Sequence, residues 1–574
     1  MKERKSSKRR KSKDDDLEIY DLLESIGEEP KAKSKPKSKS KTPTRPKSKP
    51  KLQSTPIQSS KSKPTSKPAA KQASKPIAKS TPRSKPKSKS KRSHSLEHER
   101  EVPSHAVKQK KRMRNKEFAR VTYLFVSLFL FMLGYMVYFN VVRSKDIINS
   151  PYNIRQDTFA DRVVRGKILD RNGNVLAQTN VAEDGSETRA YPYGNVYAHV
   201  VGYATKGKSG IESVNNFDLL TSNAFFLERM MKELRDEKNI GDNIVTTLDT
   251  NLQEAAYSAL GSNRGAVIVI EPSTGKILAS VSKPDFNPNE VIHDWESLNS
   301  SEDSKLLNRA MQGKYAPGST FKVVSTLAYM RTHSDYANYS FQCEGAFTYE
   351  GTTIQCVNHN AHGMVNLEGS LAYSCNSSYS NIAVQLDITD FRETATSLLF
   401  DENLPAPLQT SKSQLGLESD SYFSDKMMTA IGQGKIQVSP YHMALIASAI
   451  ANGGTLMKPY LVSEVQSYTG NVIKKYTPSS YGDIMSANEA MQLGADMQAV
   501  VNYGTGMSLS GRSYSAAGKT GTAEVSTDKA KTHSWFMGYR NVENPDLAIC
   551  VIVENSDESG ASAINVARAV FDAY

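Results

Sequence analysis

Twenty-two consecutive residues without a charge, Val121–Val142 (VTYLFVSLFLFMLGYMVYFNVV), constrain this chain more than any other feature. At about 1.5 Å per helical residue the run reaches roughly 33 Å, enough to cross a hydrocarbon core of about 30 Å. Backbone in lipid must satisfy its own hydrogen bonds, so the run is predicted as one transmembrane helix over residues 118–142. Arg112, Arg114, Lys116 and Arg120 precede it, and only Arg143 and Lys145 follow closely. That asymmetry predicts a cytoplasmic N-terminus and an extracytoplasmic remainder at a cell membrane. The run starts too far from the N-terminus, and is too long, to read as a cleaved signal peptide.

The span divides two chemically different regions. Residues 1–120 hold 38 Lys+Arg against 13 Asp+Glu, whereas the remaining 35 basic and 47 acidic residues are net negative. The overall charge of +13 is therefore a property of the tail, and no nucleic-acid partner is expected for the folded part. Residues 1–117 repeat Lys, Ser and Pro (KSKPKSKSKTPTRPKSKPK) with too few apolar side chains to offset the entropy of ordering, so a disordered cytoplasmic tail is expected. Its exception is DDDLEIYDLLESIGEE (14–29), where Ile19, Leu22, Leu23 and Ile26 fall at helical spacing.

Beyond the span, residues 143–243 are mixed and polar, and RGKILDRNGNVLA (165–177) reads as two short strands around an Asn172–Gly173 turn. Residues 244–574 carry the pattern of a larger globular domain. GAVIVIEPSTGKILASVS (265–282) is a hairpin, and residues 320–510 are mostly helical in period. Three strands (513–525, 532–540 and 546–555) and a final helix (562–574) follow. The first and last strands are expected to share one antiparallel sheet, an α/β arrangement sandwiched by helices with a mostly helical insert.

Three short motifs occur in order in that domain: Ser319-Thr-Phe-Lys322, Ser374-Cys375-Asn376 and Lys519-Thr520-Gly521. The first alone carries little, since S-x-x-K recurs roughly twice by chance in a chain of this length. Context adds weight. Ala316-Pro317-Gly318 makes a turn, and an apolar run follows Lys322, so Ser319 begins a buried helix. Spacing i, i+3 sets Ser319 and Lys322 on one face, where a desolvated, neutral amine accepts the serine proton. Ser374 and Asn376 are candidates for relaying that proton and holding Lys322. The small residues Ala516, Ala517, Gly518 and Gly521 admit an extended ligand against the third motif, with Lys519, Thr520 and Thr522 facing an anion. The Ser319 and Thr522 amides then suit an oxyanion hole.

The motif triplet is similar to that of the penicillin-binding protein and serine β-lactamase superfamily. GKYAPGSTFK (313–322), AIGQGKIQVSPYHMA (430–444), AAGKTGTAE (516–524) and HSWFMGYR (533–540) resemble class B penicillin-binding proteins, as do RGKILDRNG (165–173) and HVVGYATKGKSGIE (199–212) in its pedestal. The resemblance implies a tail (1–117), a span (118–142), a pedestal (143–243) and a transpeptidase domain (244–574). It further implies a monofunctional peptidoglycan D,D-transpeptidase acting on stem peptides through a Ser319 acyl-enzyme, trapped by β-lactams, with no catalytic cofactor. A polytopic glycan polymerase is the implied partner. A D-Ala-D-Ala carboxypeptidase, a β-lactamase or β-lactam sensor, and an idle cell-wall scaffold are the competing expectations.

Cys343, Cys356 and Cys375 lie within 33 residues of one another, with His359 and His362 among them. Three thiolates and one imidazole satisfy tetrahedral zinc with no open position, so a structural zinc is expected on Cys343, Cys356, Cys375 and His362 in preference to His359. A Cys343–Cys356 disulfide with Cys375 as a small core residue is the alternative.

Overall fold

The computed structural model describes residues 105–139, 162–525 and 531–574. Residues 1–104 of the basic tail, with the 14–29 segment, lie outside them, whereas residues 105–117, expected to belong to a disordered tail, continue the apolar helix toward the N-terminus. His105–Tyr138 is one 34-residue helix, and its Lys116–Tyr138 portion is long and apolar enough to cross a membrane. None of that portion is buried against the rest of the chain. The Thr and Ser hydroxyls within it stay inside the helix: Thr122 Oγ1 donates to the Phe118 carbonyl (2.8 Å) and Ser127 Oγ to that of Leu124 (2.9 Å). Neither of these two donors needs a partner outside the helix.

Five antiparallel strands form the catalytic domain's sheet, in the order Ala516–Glu524, Thr532–Arg540, Leu547–Val553, Gly265–Glu271, Lys276–Lys283. The first and last strands of the domain meet in it, as their apolar runs predicted. Leu547–Val553 is buried at every position, which explains a continuous apolar run where alternation marks a half-exposed strand. Val267, Val269, Ile549 and Val551 pack against the helices Thr250–Leu260 and Ala563–Asp572. Ile268, Ile270, Cys550 and Ile552 face the opposite core, which holds the buried helix Pro440–Ala451. That helix starts where Ser439 caps the His442 amide (3.2 Å) and Pro440 occupies the first turn.

Two expectations change. The insert contains short strand pairs as well as helices: Phe341–Cys343 with Gly363–Val365, and Ala346–Tyr349 with Thr352–Gln355. At three or four residues each, these are too short to show a two-residue period. The helical run 366–386 is broken into Leu367–Ala372 and Asn376–Gln385, with Ser374 left-handed (φ 57°) between them.

Ile168–Leu169 and Val175–Val181 pair antiparallel around the predicted Asn172–Gly173 turn, with Gly173 at φ 88°. Their six-stranded sheet also takes in Asn243–Thr246, Val462–Gln466 and Val472–Lys475, so residues of the larger domain complete it. Buried Glu212 holds this region together, accepting from Arg165 Nε (2.6 Å) and Arg189 Nε (2.7 Å). Burial raises the carboxyl's pKa, but the two guanidiniums more than offset it and leave the group below its usual range. The stability this cluster contributes is therefore lost as pH falls through the carboxylate range. Glu212→Ala leaves two buried guanidiniums unpaired and is expected to cost about 3–5 kcal/mol, read as a lowered urea midpoint.

Candidate active site

A tight 3₁₀ turn, Gly318–Phe321, runs directly into the helix Lys322–Thr332. Gly318 has φ +55°, and a Cβ there would lie 2.4 Å from the Thr522 carbonyl oxygen. The glycine thus lets the turn press against the strand Ala516–Glu524. Ser319 is half-buried at the turn, and Lys322 is wholly buried one helical turn on. The helix is pinned by Ser325 Oγ on the Ala430 carbonyl (2.8 Å) and by Thr326 Oγ1 with Tyr379 OH (2.6 Å).

The Lys322 amine is surrounded by the second motif. Its Nζ donates to the Ser374 carbonyl (2.7 Å), to Ser374 Oγ (3.2 Å) and to Asn376 Oδ1 (2.6 Å). Among the described residues, no hydrogen bond joins it to Ser319 Oγ. The i, i+3 spacing aligns the two, but the carbonyl and amide acceptors draw the amine toward the second motif. The left-handed Ser374 makes this possible by turning its carbonyl inward between two helices; its own amide donates to Leu371 (3.1 Å). Asn376 is anchored in turn by Nδ2 donating to the Gln355 carbonyl (2.9 Å).

Burial pushes the Lys322 pKa down to about 7, against the upward pull of the Cys375 and Cys356 sulfurs. Lys519 is also wholly buried, and its pKa is pushed well below the usual lysine range, first by burial and then by the charge of Lys322. An anion arriving at Lys519 would favour charge there and neutrality at Lys322, the distribution a base requires.

Lys519 Nζ donates to the Thr520 carbonyl (2.8 Å). Gly521 is enclosed: an added Cβ would sit 3.0 Å from Thr320 Cγ2 and 3.1 Å from the Pro317 oxygen. Thr522 is exposed on the same strand. Ala516–Glu524 is an edge strand: among the described residues its one strand neighbour is Thr532–Arg540, so its outer side suits an added extended peptide.

Three residues at the site escaped the motif reading. Thr505 Oγ1 lies 2.6 Å from Thr520 Oγ1, and its amide donates to Ala372 (3.0 Å), tying the second and third motifs together. Gly432 accepts the Gly318 amide (2.9 Å). Tyr315 seats the turn by donating to Glu554 Oε1 (2.7 Å), which also accepts from Arg309 Nε (2.9 Å). Gly432 and Tyr315 lie in the segments AIGQGKIQVSPYHMA and GKYAPGSTFK but carry no assigned role there, and only the Gly-rich YGTG hints at Thr505.

Cys343, Cys356, Cys375 and His362 converge, with their potential ligand atoms all within 4.8 Å of one another. Cys343 and Cys356 sulfurs are 3.7 Å apart and Cys356 and Cys375 sulfurs 3.8 Å, far beyond the ~2.05 Å of a disulfide. All three thiols are free. Cys375 also caps the helix that follows, accepting from the Ser378 amide (3.3 Å).

Gly432 sits at φ +77°, and a Cβ there would fall 1.9 Å from the Gly318 oxygen. Gly432→Ala must displace the turn bearing Ser319. It is expected to slow acylation by a fluorescent penicillin by about 10²-fold, as an ångström-scale misplacement does, without loss of circular-dichroism signal.

Residues 265–572 match the family described as "Penicillin binding protein transpeptidase domain", and residues 165–244 match "Penicillin binding protein A dimerisation domain". The peptidoglycan D,D-transpeptidase PbpA of Mycolicibacterium smegmatis is 30% identical over 491 residues, 80% of this chain and 99% of the relative. The peptidoglycan D,D-transpeptidase MrdA of Acinetobacter baumannii is 27% identical over 67% of this chain and 66% of its own. Among solved structures, penicillin-binding protein A from M. tuberculosis as an imipenem acyl-enzyme complex superposes with a TM-score of 0.67 at 28% identity, covering 73% of this chain and 99% of that one. Fold, motif order and these matches agree: the chain belongs to the class B penicillin-binding proteins.

Proposed function

We propose that this protein is a membrane-anchored peptidoglycan D,D-transpeptidase whose nucleophile is Ser319. The observation that carries the reading is the buried Lys322 amine, one turn from Ser319 and bonded to Ser374 and Asn376, beside a free edge strand bearing Lys519-Thr520-Gly521. The relatives' names and the acyl-enzyme structures support it.

In this mechanism the D-Ala-D-Ala end of a stem peptide pairs with strand Ala516–Glu524, its carboxylate held by Lys519, Thr520 and Thr522. Ser319 Oγ attacks the penultimate carbonyl while neutral Lys322 takes its proton. The Ser319 and Thr522 amides stabilise the oxyanion. Ser374, in reach of Lys322 Nζ, hands the proton to the departing D-alanine amine. A second stem's amine then attacks the ester, returns a proton along the same path and frees Ser319. A β-lactam forms the same ester but keeps its leaving group attached. The N-terminus lies in the cytoplasm and the catalytic domain outside, with a polytopic glycan polymerase as membrane partner.

We also propose a structural zinc on Cys343, Cys356, Cys375 and His362. Tetrahedral zinc at ~2.3 Å from each sulfur sets sulfurs about 3.8 Å apart, close to the 3.7 and 3.8 Å found here. His362 Nδ1, 3.4 Å from Cys343 Sγ, completes the set. Held by these four side chains, such an ion would clamp the loop 343–362 to Cys375, the residue between Ser374 and Asn376, and would supply structural support and no acyl-transfer chemistry.

Intact mass of the full chain after penicillin treatment is expected to show one persistent adduct that Ser319→Ala lacks. An adduct surviving in that variant would remove Ser319 from the role. Because the base must be neutral, acylation should rise with pH and level off above about 7, falling roughly tenfold per unit below about 6. A flat profile between 5 and 8 would exclude Lys322 as the base. Elemental analysis should give close to one zinc per chain, reduced in Cys343→Ser, which should also unfold at lower temperature. Well under one zinc in wild-type protein would reject the metal.

A further inference from the structure

The helix Phe226–Leu234 in the pedestal is turned inside out. Its apolar residues Phe226, Leu227, Met230, Met231 and Leu234 fall on one contiguous face at 100° per residue. In a surface helix that face packs inward, yet no residue of this helix is buried. Phe226 is 63% and Leu234 75% exposed, and neighbouring Phe225 is 71% exposed. The polar face makes the contacts with the domain instead. Glu228 accepts from Tyr468 OH, and Arg229 Nη1 donates to the Ser222 carbonyl (2.9 Å). Lys232 lies over the Tyr468 ring, 4.9 Å from its centre.

We infer that this helix lies in the outer surface of the lipid bilayer, with Phe225, Phe226, Leu227, Met230, Met231 and Leu234 inserted among the acyl chains. The chain's own course argues for lipid. Its membrane helix ends at Tyr138, and the described part of the domain begins at Arg162, 24 positions later. The Arg162 carbonyl accepts the Asn239 amide (3.2 Å), and Val163–Val164 pairs parallel with Asn239–Ile240. The strand by which the chain enters the pedestal is thus bonded to the strand that follows the exposed helix by five residues. The apolar face stands at the end of the domain tethered to the membrane, where the bilayer is the apolar phase at highest effective concentration. A short amphipathic helix of this kind rests in the interface rather than crossing it. It gives the pedestal a second attachment and limits its rotation about the tether. The inference is independent of the chemistry at Ser319.

The test uses the full chain in nanodiscs containing a phospholipid with a photoreactive diazirine on its acyl chain. Mass spectrometry after irradiation should find lipid adducts on residues 225–234 as well as in the 116–138 span. In Phe226→Glu/Leu234→Glu the adducts on 225–234 should fall at least about fivefold, as expected if apolar burial drives insertion, while span adducts and fluorescent-penicillin labelling stay unchanged. Adducts confined to the span in the wild type would overturn the inference. So would a zero-length cross-link between the 225–234 segments of two copies in place of lipid adducts.

Discussion

The catalytic half of this protein depends on one interaction, the burial of the Lys322 amine among the Ser374 carbonyl, the Ser374 hydroxyl and the Asn376 amide oxygen. A lysine taken fully out of water destabilises its own charge unless its donors are satisfied. Here three oxygens satisfy them, yet among the described residues no carboxylate joins them to restore an ordinary lysine pKa. The amine is therefore held in place while its proton is held weakly. Everything around it serves that compromise: the left-handed Ser374, the Thr326–Tyr379 bond and the helix that follows Cys375.

Close backbone approach is the second requirement. Gly318, Gly432 and Gly521 let the Ser319 turn, the 430–434 loop and the edge strand meet where any side chain would collide. Among the described residues the edge strand has no strand partner on its outer side, an aggregation hazard in most sheets that in the proposed mechanism is the line along which substrate docks. Thr505 and Tyr315 tie this groove to the domain core, and the cysteine–histidine cluster converges on the far side of the second motif. The turn bearing Ser319 is thus supported from several independent elements, as the proposed acyl transfer requires if its atoms are to stay within reaction distance.

Much of the architecture was legible beforehand because its signals are local. The uncharged run predicted the membrane helix, and the Asn172–Gly173 and Pro272–Gly275 turns bracketed hairpins that the structure contains. Cys343, Cys356, Cys375 and His362 were selected by ligand chemistry, and their atoms do converge. The short strands of the insert were not legible, since three or four residues carry no measurable period. Nor was the break at Ser374, where the composition is that of an ordinary helix and only the pull of Lys322 and Cys375 on either side reveals the kink.

The sequence by itself determined a helix long and apolar enough to cross a membrane and the paired outer strands of the domain, and it singled out the side chains of the three motifs, because each rests on nearby residues and their intrinsic chemistry. The hold of Ser374 and Asn376 on Lys322 was expected, but tertiary structure alone decided that, among the described residues, no bond joins Lys322 to Ser319, and that Thr505 joins Thr520. It alone decided that the apolar face of Phe226–Leu234 points outward. The physical reason is common to these cases. Helical periodicity shows which side chains share a face, but what that face meets is set by contacts between residues 15 to 240 positions apart.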